Sequence, residues 1–123
     1  MKWLLFILIS MYNVDDPRQV LIFYRPSAEN VFQQQVKEFD KFNTGVKERD
    51  IQVKKYLVDT LNKAFAKAHE IDVTQPYTLI LIGRDGGEKF RSSVFVKAEE
   101  LFAIIDAMPM RRAEMKKGKT VGN

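Results

Sequence analysis

The sequence of 123 residues predicts an α/β fold, with a mixed four-stranded sheet that is covered by helices on both faces. Three observations lead to this prediction. Nearly continuous apolar runs at residues 19–24 and 77–82 are typical of strands that are buried on both faces. Amphipathic helical patterns alternate with the strands along the chain. A glycine-rich segment at residues 83–87 indicates a tight hairpin, because Asp-Gly-Gly supplies positive-φ positions.

The first strand is predicted over residues 19–24 and ends at Arg25-Pro26. Ser27 is expected to be the N-cap of the helix that follows, since serine favours that position. Apolar residues at helical spacing predict that this helix runs over residues 28–44. Gly45 is placed for its C-cap.

The second strand is predicted over residues 51–58, and the pair Lys54-Lys55 interrupts its alternation in the manner of a β-bulge. Asp59 or Thr60 is expected to cap a shorter helix. The third strand (77–82) is followed by the hairpin and a polar edge strand at 88–91. A last helix spans 97–108 and ends before Pro109. The element order is β-α-β-α-β-β-α with a right-handed first crossover, which is a thioredoxin-like arrangement.

The composition excludes several classes of chemistry. Cysteine is absent, which removes disulfides, thiol nucleophiles and thiol redox reactions, and the chain has one histidine. We therefore expect no catalytic residue, no metal site and no cofactor. The first 108 residues carry 15 basic and 15 acidic side chains, whereas the last 15 carry five basic and one acidic. Residues 111–123 are interpreted as a basic tail, either frayed in solvent or attracted to phosphate or anionic lipid.

The amino-terminal residues 1–13 combine Lys2 with an apolar run from Trp3 to Ile9. This run is too short to span a bilayer but matches the apolar core of a signal peptide. The alternative is a structural extension of the domain, because no clear cleavage site follows. The first interpretation predicts a periplasmic or secreted protein, and the second leaves a cytoplasmic one. The domain itself is assigned to residues 18–110.

Two blocks carry a resemblance to a known family, namely LIGRDGGEKFR at residues 81–91 and ELFAIIDAMPMRRAEM at residues 100–115. They resemble a bacterial thioredoxin-like domain family of unknown function. The repeated domain of vertebrate sushi-repeat and Equarin-type secreted matrix proteins is related to that family. The resemblance covers residues 20–115 and implies a thioredoxin-like fold without an assigned reaction. It also implies export for many members and extracellular binding roles for the vertebrate relatives.

One candidate site is the loop after the first strand, where thioredoxin-like enzymes carry their cysteine pair. A serine nucleophile needs a neighbouring base, and the only histidine, His69, is distant in sequence. A helix start beside an arginine can bind a small anion or carboxylate. The third predicted strand follows Pro76, a position where a cis bond is one of two options. The candidate anion or ligand site comprises Arg25, Ser27, Pro76, Arg84 and Arg91.

A second candidate site lies near the carboxyl terminus, where Met110, Arg111, Arg112 and Met115 form a candidate docking element. Flexible methionines beside arginines suit an adaptable protein interface. The alternative is intramolecular, with Arg111 or Arg112 paired to Asp106 or Asp85. The sequence thus favours a non-enzymatic binding or structural module of the cell envelope, with a protein partner or an anionic surface and no specific nucleic acid. The rival is a small-anion carrier or non-thiol enzyme that uses the Arg25–Ser27 loop.

Overall fold

The computed structural model describes residues 16–121, with side chains through Lys117. Its four strands form one sheet in the order β2-β1-β3-β4. The strands are β1 (Arg18–Tyr24), β2 (Ile51–Leu57), β3 (Tyr77–Ile82) and β4 (Glu88–Ser92). β1 runs parallel to β2 and antiparallel to β3, and β3 runs antiparallel to β4. The predicted mixed four-stranded sheet is therefore confirmed.

Within residues 16–121, five α-helices pack around the sheet. They are α1 (Glu29–Lys41), α2 (Asn43–Glu48), α3 (Lys63–Ala68), α4 (Ala98–Asp106) and α5 (Pro109–Val121). Short 3-10 turns at Pro26–Ala28 and Val58–Thr60 precede α1 and α3. None of the helices among the described residues is long and apolar enough to cross a bilayer.

Successive side chains of β1 enter two separate cores, because neighbouring residues of a strand point to opposite faces. Val20 and Ile22 pack with residues of α1, α2 and α4. Leu21 and Phe23 pack on the other face with the segment that contains α3, including Phe65. Burial on both faces explains why β1 and β3 are almost wholly apolar in sequence. Helices on both faces were predicted and are observed.

Several local predictions are wrong, each for a physical reason. The helix predicted over 28–44 is divided at Phe42 into α1 and α2. Gly45 lies inside α2, where a Cβ would come within 2.5 Å of the Phe102 ring, so close packing requires glycine. Asn62, instead of Asp59 or Thr60, caps α3, and its side chain accepts hydrogen bonds from two backbone N–H groups.

The β-bulge was also misplaced. β2 pairs with β1 in unbroken register through Lys54 and Lys55, and the irregularity lies at Leu81 and Ile82 between β3 and β4. The two lysines are exposed along a strand at the edge of the sheet. Their charge keeps that edge from pairing with another chain.

Both ends of the sequence carried predictions of their own. The segment 111–123, interpreted as a tail, continues the chain as helix α5, whose residues through 121 lie within the described part of the structure. The signal or extension proposed for residues 1–13 lies outside the described residues.

Candidate functional site

The loop after β1 is held closed by hydrogen bonds of its backbone. The Arg25 N–H donates to the Pro76 carbonyl (2.9 Å), and the Ala28 N–H donates to the Arg25 carbonyl (2.8 Å). The Arg25 Nη1 donates to the carbonyl of Val73 (3.0 Å). Arg25 thus joins the turn Pro26–Ala28 to the segment before β3. We call this region the Arg25 end of the sheet.

The side chains at this loop offer little for catalysis. Ser27 is exposed and caps no helix, contrary to the prediction, because Ala28 occupies the N-cap of α1. His69 lies at the end of α3, with its ring 4.6 Å from that of Phe65. No hydrogen bond joins Ser27 to His69 within the described part of the chain. All peptide bonds of the described residues are trans, including the one before Pro76.

The five residues of the predicted anion site are divided between regions. Arg25, Ser27 and Pro76 share one end of the sheet, whereas Arg84 follows β3 at the opposite end. A seven-residue strand separates those ends by roughly 20 Å. Arg91 on β4 donates to the carbonyls of His69 and Glu70 and pairs with Glu88 at 2.7 Å. The fold therefore does not bring the five residues into one pocket.

A buried cluster of uncharged polar groups, formed by Gln35, Tyr77 and the backbone of Val96, lies at the Arg25 end of the sheet. The Tyr77 hydroxyl donates to Gln35 Oε1 (2.8 Å), and the Val96 N–H donates to the same oxygen (2.9 Å). Gln35 Nε2 donates to the Val96 carbonyl (2.7 Å). Burial raises the pKa of the Tyr77 phenol well above its ordinary value. These groups are fully occupied in linking α1, β3 and the segment before α4.

The opposite end of the sheet holds a network of four arginines and four carboxylates, which we call the arginine–carboxylate network. Glu114 of α5 pairs with Arg18 (3.1 Å), Arg84 (2.8 Å) and Arg111 (3.5 Å). Asp106 accepts from Arg111 (3.1 Å) and from two nitrogens of Arg49 (3.0 and 2.8 Å). The full set is Arg18, Arg49, Arg84 and Arg111 with Glu48, Asp50, Asp106 and Glu114.

The arginines determine the ionisation of the two shared carboxylates. Burial by itself raises the pKa of Asp106, but the hydrogen bonds from Arg49 and Arg111 outweigh it and hold that pKa below its usual range. Burial likewise raises the pKa of Glu114, and Arg18 and Arg84 overcome it, so the pKa is also lowered. Both groups are therefore carboxylates at neutral pH.

The structure separates the four predicted docking residues. Arg111 is 5% exposed and belongs to the network, so the intramolecular pairing with Asp106 is the one observed. Met115 is partly buried. Met110 is 37% exposed, and Arg112 is exposed on the outer side of α5.

Beside Met110 lies a cavity of about 390 Å³, which we call the α5 groove. Its apolar wall consists of residues 108–110, where α4 is joined to α5. The remaining lining comes from the start of β1, the hairpin and β4, namely Arg18, Gly83, Arg84, Asp85 and Lys89. This volume lies within the roughly 300–1,000 Å³ of ligand pockets.

The contributions of Arg18, Arg49 and Gln35 were not predicted from the sequence. Within the network, the pairing of Arg111 with Asp106 was among the predicted alternatives, and the spacing of Arg111 and Glu114 places those two on one helix face. Gln35 stands in a run of three glutamines that the sequence alone does not distinguish. No group of three or more side chains suited to a metal ion occurs among the described residues.

Comparison with known proteins identifies a family and a fold. The family model described as "Domain of unknown function (DUF4174)" matches residues 15–114. No curated protein matches the sequence. Thioredoxin-2 of the malaria parasite is similar in structure, with a TM-score of 0.60 and 23% identity over 78% of this chain and 87% of that chain.

Two further solved structures are similar. A malarial protein gives a TM-score of 0.58 and 24% identity, covering 74% of this chain and 96% of that chain. Chloroplastic thioredoxin z gives 0.57 and 19%, covering 80% of this chain and 84% of that chain. At these identities the likeness shows the fold, which is that of thioredoxins. With no cysteine, this chain cannot perform thiol redox chemistry.

Proposed function

The chain belongs to the DUF4174 family, and from this premise we propose that it is a non-enzymatic binding module that contacts a protein partner through the α5 groove. The observation that carries the proposal is that Met110 is exposed beside the α5 groove, at the end of the sheet away from Arg25. At the Arg25 end, the loop is closed by hydrogen bonds from Arg25 to Pro76 and Val73. At the other end, Met110 is exposed beside an open cavity.

Exposure of a large apolar side chain beside a concave surface is typical of interaction sites. Met110 lies at the first turn of α5, and the arginine–carboxylate network anchors that helix through Arg111 and Glu114. A rigid support reduces the entropy lost on binding, because the contacting side chains are already in place. The network is therefore interpreted as the support of the binding surface.

The cell envelope is the proposed location. The lysine and apolar run within residues 1–13 support export, as does the resemblance to a bacterial family with secreted vertebrate relatives of the sushi-repeat and Equarin type. Mass analysis of the amino terminus of protein isolated from its cells tests this. Removal of the apolar run supports export, and an intact amino terminus contradicts it.

Site-specific photo-crosslinking in cells tests the binding function. A photoreactive residue in place of Met110 is expected to form a discrete crosslink to another protein. The matched control places the same residue at Val94, which is also exposed, at the Arg25 end. The proposal predicts a discrete crosslink at Met110 and none at Val94. Equal crosslinking at both positions, or at neither, contradicts it.

Calorimetry with inorganic phosphate and acetate tests the rival function, a small-anion carrier. The proposal predicts no measurable heat of binding. Binding that Arg25→Ala abolishes would favour the carrier, since Arg25 is the cation of the loop.

A further inference from the structure

The α5 groove combines an apolar wall with cations, and the cations differ in their availability. The Arg18 side chain is 1% exposed and paired with Glu114, while Arg84 is 12% exposed and paired with Glu114 and Asp50. Both guanidinium groups are therefore already paired with carboxylates within the domain. Lys89 is 34% exposed, and its partner Asp85 is 47% exposed at 2.8 Å. Exposed ion pairs contribute little to stability, so a ligand carboxylate can replace Asp85 at little cost.

Helix α5 adds positive charge beside the groove. Arg112, Lys116 and Lys117 are exposed on it, whereas the first 108 residues of the chain are balanced in charge. Lys117 follows Met110 by seven residues, which places both on one side of the helix, about 10 Å apart. Lys117 thus extends positive charge from the apolar groove along the Met110 side of α5 and attracts negative charge towards it, whereas Arg112 and Lys116 lie on the other side of the helix.

The shape of the surface distinguishes between classes of acidic partner. A bilayer is bound by large apolar side chains that insert from a helix face. The exposed side of α5 carries Arg112, Ala113 and Lys116, which do not insert in this way. Single-stranded nucleic acid is bound by aromatic side chains on which bases stack, and α5 has none. A concave groove instead admits a side chain of a peptide.

From this arrangement we propose that the α5 groove binds an acidic segment of a partner protein. One apolar side chain of that segment enters the groove against Met108 and Met110, and its carboxylates pair with Lys89 and Lys117. This inference rests on the proposed function, because it specifies the partner of the same surface. Electrostatic attraction determines the rate of association, and the apolar contact determines how long the complex lasts.

Fluorescence anisotropy with labelled synthetic peptides tests the inference. The probe has a central leucine flanked by glutamates, and two matched peptides replace either the glutamates by glutamine or the leucine by serine. The full chain is expected to bind the probe, and either replacement is expected to weaken binding about tenfold, which corresponds to 1.4 kcal/mol. Binding of the glutamate probe should also weaken as salt is added.

Variants of the chain locate the binding. Met110→Asp is expected to weaken binding of the probe about tenfold, and Val94→Asp, at the other end of the sheet, should leave it unchanged. Lys117→Glu is expected to weaken binding and flatten its salt dependence. Its matched control is Lys63→Glu on α3, against the opposite face of the sheet. Circular dichroism spectra of all variants establish that they are folded.

Three outcomes overturn the inference. One is binding of the glutamine peptide as tightly as the glutamate probe. Another is binding to vesicles of phosphatidylglycerol, or to an RNA oligonucleotide, without binding to the peptide. The third is equal binding by Met110→Asp and its control. If the peptide fails while the Met110 crosslink to a protein persists, the binding function stands and the acidic partner is wrong. If both fail, both proposals are overturned.

Discussion

At the Arg25 end of the sheet the buried polar groups are neutral, with Gln35 shared between Tyr77 and Val96. At the other end they are charged, with Asp106 and Glu114 shared among four arginines. At both ends the buried polar groups are hydrogen-bonded, since no buried side-chain nitrogen or oxygen of the described residues lacks a partner. The two ends of the sheet therefore stabilise one fold with different polar groups. We expect the charged end to lose stability in acid and the neutral end to lose it in alkali.

Removing the centre of the neutral cluster has the largest expected effect. Gln35→Leu leaves the Tyr77 hydroxyl and both backbone groups of Val96 without partners, which should lower the free energy of unfolding by about 3 kcal/mol. Tyr77→Phe is the matched variant and should cost about 1 kcal/mol, because Gln35 keeps its bonds to Val96. Urea denaturation measures both, and equal losses would contradict the central place of Gln35.

Removing one arginine of the charged end comes next. Arg111→Met leaves Asp106 and Glu114 with fewer partners, and we expect a loss of about 2 kcal/mol in the free energy of unfolding. The control variant is Arg112→Met, at the exposed neighbouring position. It should change the free energy of unfolding by less than about 0.5 kcal/mol. If both variants lose the same stability, the network contributes nothing specific.

Acid should break the charged end. The pKa values of Asp106 and Glu114 are lowered in the folded state, so their contribution is present above the unfolded pKa of about 4 and is lost as the pH falls through the folded values. The stability gap between the parent chain and Arg111→Met should therefore narrow in acid, by less than the full cost of that substitution. Urea denaturation between neutral and acidic pH measures it, and a constant gap would refute the assignment.

Alkali should affect the neutral end, with the smallest effect. The folded pKa of Tyr77 is raised by burial, so its contribution is complete below the unfolded pKa of about 10 and decreases as the pH rises above it. The gap between the parent chain and Tyr77→Phe should narrow above that pH, while the gap to Arg111→Met stays constant. Denaturation in alkaline buffer measures both gaps, and the reverse pattern would overturn the comparison.

The elements that could be predicted from the sequence are those whose signals lie within a few neighbouring residues. The apolar runs of β1 and β3 and the hairpin at Gly86, whose φ is +83°, carry their own signals within a few positions. The prediction at Gly45 failed because the reason for glycine there is Phe102, which is remote in sequence. The same holds for the network, since the Arg18 and Glu114 that meet in it are 96 residues apart. Residue type alone did not indicate that Arg18 would be almost fully buried.

The bond between Arg18 and Glu114 has a consequence for synthesis of the chain. The residues that form it are 96 positions apart, near opposite ends of the domain, so a ribosome must release nearly the whole domain before the bond can form. The β1-α-β2 part leaves the ribosome early and can pair its strands. Its Arg18, however, can form the ion pair only after Glu114 has been translated. Nascent chains stalled before position 114 should therefore resist proteases less well than chains released beyond it.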